Sequence, residues 1–206
     1  MIPIKDDNPQ LNIPYGTYLI IFLNIFCWVV LQDVGFGKES DLSVCKYGLI
    51  PNKLLYLAGN TFCESLNDIG YFSVLSSMFM HGGWMHIIGN LLFLWVFGGN
   101  VEDSMGSIRF LCFYLLCGIC AAFSHIYTDT SSVIPMVGAS GAIGGVMGAY
   151  LILYPKVKVH ILIPLFIFFP IIRVPAFLML GYWIFLQFIG GIPAIGSEGG
   201  GVAFWA

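Results

Sequence analysis

The chain has 206 residues, of which 58% are apolar and only 9% charged, with a net charge of -3 and a mean hydropathy of +0.88. Soluble domains carry roughly 25% charged residues, so an ordinary soluble fold is excluded, and so small a net charge gives a nucleic acid no footing. Only helices and closed barrels satisfy every backbone polar group in lipid, and the apolar runs here lack barrel-type alternation, so the spans are expected to be helices.

Met1 to Asn12 is polar and contains proline, which is not the pattern of a cleavable signal peptide. Tyr15 to Leu31, interrupted only by Thr17 and Asn24, forms a short first span for a hydrocarbon core of roughly 30 Å. Asp33 to Gly70 gathers charges from Lys38 to Asp68 among short apolar pieces and reads as a long loop, ordered or half-embedded. The second span is expected over Phe79 to Gly99, the third over Ile108 to Tyr127, the fourth over Ser140 to Tyr154 and the fifth over Pro175 to Gly191. Val159 to Ile172 is apolar but broken by Pro164 and Pro170, which makes it an interfacial loop. Gly199 to Gly201 open a further apolar run, too short at Ala206 to span. The expectation is therefore an all-α bundle forming a single membrane domain over residues 1–206, truncated after five complete spans and the start of a sixth. Alternating sides gathers Lys5, Arg109, Lys156, Lys158 and Arg173 on one face, which the positive-inside rule makes cytoplasmic together with the N-terminus.

Ser140 lies in VGASGAIGGVMGAY, between Gly138, Ala139 and Gly141, where a loop feeds a helix. The first N–H groups of that helix lack intrahelical partners and could serve a developing oxyanion. A helix of about 15 residues covers only about 22 Å, so the serine should lie below the membrane surface at the end of a dipping loop, beside a water-filled cavity. The structural alternative is close helix packing, since Gly141, Gly144, Gly145 and Gly148 make overlapping GxxxG spacings.

His86 and Asn90 project from one helical face, where two polar side chains in a membrane need a cavity or partners. An interhelical hydrogen bond is the plain alternative. His81, near the mouth of the same helix, reads as structural, and no third ligand supports a zinc site. Glu102 and Asp103 could pair with Arg109, although a capping cluster that fixes the connection between the second and third spans is the better reading. Cys27, Cys112, Cys117 and Cys120 read as packing residues, while Cys45 and Cys63 share the first loop, where a disulfide is permitted but not required. His125 and His160 read as isolated interface histidines.

Taken together, HGGWMHIIGN, VEDSMG and GASGAIGG, in that order, resemble the rhomboid family of intramembrane serine proteases. The resemblance implies that Ser140 is the nucleophile and that His86 and Asn90 stabilise the oxyanion. Glu102 and Gly106 match the family's VExxxG turn, and Asp33 to Gly70 resembles its embedded first loop, here without a Trp-Arg pair. The family's base histidine follows an alanine on a glycine-rich sixth span, and GGGVAFWA resembles the run leading to it. None of the four histidines present matches that position.

The implied activity is serine-type endopeptidase action on transmembrane protein substrates within the bilayer, without a cofactor, in a multi-pass protein of a bacterial inner membrane. The chain as it stands is expected to be inactive for want of its base. The competing reading is a non-catalytic rhomboid-like protein that binds membrane helices. Retention of Ser140, His86 and Asn90 together favours the protease. A channel or transporter ranks third, because no paired discontinuous helices are visible.

Overall fold

The computed structural model describes residues 2–55, 63, 69–166 and 168–191. The part of the first loop with Glu64 and Asp68, and the run Gly199 to Ala206 expected to open a sixth span, lie outside the described residues.

A short strand β1 (Ile2–Asp6) precedes α1 (Tyr15–Phe26), which continues as a π-helical segment to Leu31. The described parts of the loop that follows are ordered, with α2 (Gly37–Tyr47) and the single turns α3 (Pro51–Leu54) and α4 (Ser73–Ser76). Within it, Cys45 and Cys63 form a disulfide, with Cα atoms 5.1 Å apart. Then come α5 (Trp84–Met105), α6 (Ser107–Thr128), α7 (Ser140–Leu153), strands β2 (Lys158–Leu162) and β3 (Ile171–Pro175), and α8 (Ala176–Gly191).

Two of these helices, α5 and α6, are by themselves long and apolar enough to cross a membrane, and α1, α7 and α8 are shorter apolar helices. The second span begins later than expected and runs further, because the backbone of Ser77–Phe79 is a 3-10 turn and the helix proceeds past Gly98 and Gly99 to Gly106. Gly106 ends it at φ +82, a left-handed position suited to glycine, with its N–H on the Glu102 carbonyl at 2.7 Å.

An all-helical expectation is corrected by a three-stranded antiparallel sheet in the order β1-β2-β3. Pro164 and Pro170 do exclude a helix, but the flanking KVHIL and IIRVP alternate like strands and close a hairpin. Its free edge is covered by Ile2–Asp6 from the start of the chain. Val159 and Ile161 point into the helical core, at 0% and 1% exposure.

Helices α5 and α7 run side by side in the same direction. Phe97 of α5 meets Tyr150 of α7 with ring centroids 4.9 Å apart, about three turns beyond His86 and Ser140 respectively. The small-residue reading of α7 holds at Gly145, where a Cβ would stand 2.4 Å from Cys117 Sγ so that α6 and α7 touch through glycine, but not at Gly144 or Gly148, which face open space. The first loop and the loop before α7 pair with each other. Leu49 and Met136 exchange backbone hydrogen bonds of 3.0 and 2.7 Å, and Ser132 C=O accepts from Asn52 N–H at 3.0 Å. Backbone that leaves helical structure here is thus satisfied by protein.

Candidate active site

Ser140 opens α7, directly after Gly138 at φ +128 and the buried Ala139. The first helical bond there runs from Ile143 N–H to the Ala139 carbonyl at 2.9 Å, which leaves the preceding N–H groups without intrahelical acceptors. The loop is held by Gly138 N–H, which donates to the Ser77 carbonyl at 2.9 Å.

His86 sits in the first turn of α5 and faces this point. A Cβ built on Gly138 would lie 2.6 Å from His86 Nε2 and 3.6 Å from Ser140 Oγ, so histidine and serine border the same small space. On its other side, His86 Nδ1 accepts the Gly82 N–H at 3.3 Å. In the neutral ring that places the proton on Nε2, which therefore presents a donor toward Ser140 rather than a lone pair. Asn90, one turn along α5, is buried, and its Nδ2 has no hydrogen-bond partner among the described residues. A buried amide without an acceptor is costly unless one arrives.

His81 is fully buried and packs edge-on against His86, with centroids 5.2 Å apart and an interplanar angle of 74°. Its backbone is clamped by Gln32, whose Nε2 donates to the His81 carbonyl at 2.6 Å and whose Oε1 accepts the His81 N–H at 2.8 Å. Trp28 closes the stack, T-shaped to both His81 and Trp84. Gln32 and Trp28 were not legible as site residues. The available signal was a lone amide at the end of an apolar span, which must find a partner if buried.

Glu102 lies 16 residues past His86, roughly 24 Å along the helix, and is not part of this space. Of the two readings of Glu102 and Asp103, their bonds follow the capping cluster and not a pairing with Arg109. Glu102, 3% exposed, accepts Gly16 N–H and Thr17 N–H at 2.7 Å each, Thr17 Oγ1 at 2.8 Å and Ser107 Oγ at 2.5 Å. It caps the start of α1, where a carboxylate satisfies orphan N–H groups, and also ties the α5–α6 connection. Asp103 accepts Leu11 and Asn12 N–H groups at 2.7 and 3.0 Å. His160 is likewise not isolated, since its Nε2 stands 2.6 Å from Asp7 Oδ1. That hydrogen bond holds the Asp7 carboxyl below the usual aspartate range. His125 stays apart, on α6. Among the described residues, no three His, Cys, Asp or Glu side chains gather as a metal site. A cavity of about 170 Å³ opens far from Ser140, between Asp6, Thr17, Trp95 and Asn100.

Two helices long and apolar enough to cross a membrane, with His81 and Asn90 buried near the start of one of them, fit a helical membrane protein with a buried polar site. A family model described as the rhomboid domain matches residues 70–206, and the chain belongs to the rhomboid family, an integral membrane family. The chain is 33% identical over 138 residues to Rhomboid protease GluP of Bacillus subtilis, which covers 67% of this chain and 24% of that protein. Rhomboid protease AarA of Providencia stuartii is 34% identical over 157 residues, covering 70% of this chain and 52% of that protein. Rhomboid protein 1 of Saccharomyces cerevisiae mitochondria is 34% identical over 91 residues, 42% of this chain and 26% of that protein. The chain thus spans between a quarter and about half the length of these relatives.

Proposed function

We propose that the full-length protein is an intramembrane serine endopeptidase that hydrolyses peptide bonds of transmembrane proteins. The observation that carries this reading is the small space bordered by Ser140 Oγ and the donor face of His86, kept open by Gly138. Ser140 attacks the scissile carbonyl carbon, and its proton passes to a general base. The tetrahedral oxygen is held by His86 Nε2–H, Asn90 Nδ2–H and the Ser140 backbone N–H. The C–N bond then breaks, the base returns the proton to the leaving amine, and water releases the acyl-enzyme.

His86 offers N–H rather than a lone pair on the Ser140 side, so the base in this reading is a group other than His86. Removing that base would cost on the order of 10^6 in turnover. Gly138 and Gly141 give the substrate backbone room, His81 fixes the His86 ring, and Glu102 holds α1 against α5. The domain is a bundle of α1, α5, α6, α7 and α8 in a bacterial inner membrane, with the N-terminus cytoplasmic. The disulfide on the Ser140 side supports that orientation, since disulfides persist in oxidising compartments.

The test is cleavage of a single-span membrane protein by the full-length protein in proteoliposomes. Cleavage that disappears in Ser140→Ala supports the protease. Substrate binding without cleavage by the full-length protein would replace it with the non-catalytic, helix-binding reading.

A further inference from the structure

The β2–β3 hairpin is graded from charge to grease along its length. One face packs Val159 and Ile161 into the helices. Opposed residues of antiparallel strands share a face, so the register Lys5↔His160↔Arg173 and Lys158↔Pro175 puts three cations on the other face, near the base. Lys5, Lys158 and Arg173 are all exposed. Further out, the same face continues as Leu162 opposite Ile171, and the tip turns through a Leu165–Phe168 bridge. There Leu165, Phe166, Phe168 and Phe169 stand 55%, 103%, 76% and 59% exposed.

We propose that this hairpin docks on the anionic headgroup layer of the membrane leaflet at the β-sheet end, with its aromatic tip inserted among the lipids. Apolar tips backed by basic residues bind such an interface through buried apolar area and attraction to anionic lipid together. Charge selects this occupant over a second copy. From Lys156 to Ser197 the chain has no acidic residue, so two hairpins face to face would oppose cation to cation. The carboxylate of Asp7, close to Lys5 and Arg173, is already engaged by His160, and that of Asp6 by Asn100 and Tyr150.

Docking also bears on the site at the other end of the bundle. The hairpin springs directly from the end of α7, with Ala176 N–H on the Val157 carbonyl at 2.8 Å and Phe177 N–H on the Pro155 carbonyl at 3.0 Å. At 14 residues, α7 is too short to set its own depth by spanning the core. A hairpin held at the headgroups fixes the height of Ser140 within the bilayer. The inference rests on the membrane placement of the chain and not on the protease reading.

The experiment places the photo-crosslinker benzoylphenylalanine at position 166 of the full-length protein, with position 130 on the opposite side as control. Vesicles are made of phosphatidylcholine alone or of an equal mixture with phosphatidylglycerol. Lipid adducts, read by intact mass, should form at 166 well above the yield at 130, and should rise with phosphatidylglycerol. The double variant Lys158→Gln, Arg173→Gln should shift the docked fraction by about tenfold toward release. Protein dimers in place of lipid adducts, a yield equal to that at 130, or equal yields in both vesicle types would overturn the proposal. The readout needs no proteolysis, so failure here and failure of the protease reading are distinguishable.

Discussion

His86 occupies the space that any side chain at Gly138 would need. A methyl group there would meet Nε2 at 2.6 Å and Cε1 at 2.8 Å, against backbone already at φ +128. Gly138→Ala should therefore push the His86 ring away from Ser140 or pull the loop off the Ser77 carbonyl. The expected outcome is a loss of turnover of at least about 100-fold, comparable to removing an oxyanion donor. Melting of the full-length protein should shift only modestly, since the loop is one local segment.

His86→Ala and Asn90→Ala each remove one donor proposed for the oxyanion at Ser140. Each should lower kcat by on the order of 10^2 to 10^3 and leave KM nearly unchanged, because the developing charge exists only in the transition state. Steady-state kinetics on a single-span substrate separate the two constants. Raised KM at unchanged kcat would assign both residues to substrate binding instead.

Glu102 is a stability residue by this account. Glu102→Ala strands the buried N–H groups of Gly16 and Thr17 and the Thr17 hydroxyl, and should cost at least about 2 kcal/mol. Unfolding in detergent reads the loss. Activity should fall only in proportion to the folded fraction, unlike the His86 and Asn90 variants.

The pairing of Asp7 with His160 predicts a pH dependence at the sheet. A carboxyl whose folded value is depressed adds stability above its unfolded value, roughly 3.9, and loses it as pH falls through the folded value. Hydrogen exchange of the β1 amides should therefore accelerate on acidification below the usual aspartate range. In Asp7→Asn that acid response should be absent, with β1 already less protected at neutral pH.

Helix positions were legible because lipid leaves the sequence little choice: α6 and α8 start and stop within one residue of the apolar runs that announced them. The fourth span was equally plain, from Ser140 to one residue short of Tyr154. His86 was legible with Asn90 through spacing and with Ser140 only through resemblance, and the structure brings His86 and Ser140 to one small space. The sheet was not legible, since KVHIL and IIRVP need Ile2–Asp6, a segment over 150 residues away, as third strand. Long-range partners of single polar residues were hidden for the same reason. Nothing local ties Gln32 to His81, or Glu102 to Gly16, because each bond joins segments far apart in sequence that only packing brings together.

The most direct measurement is covalent trapping of the full-length protein by a fluorophosphonate in its native membrane, with the adduct located by peptide mass. An activated serine beside oxyanion donors should carry the adduct at Ser140 alone, at a rate that drops sharply in His86→Ala. Absence of an adduct from a folded full-length protein, or an adduct on another residue with cleavage intact in Ser140→Ala, would contradict the assignment.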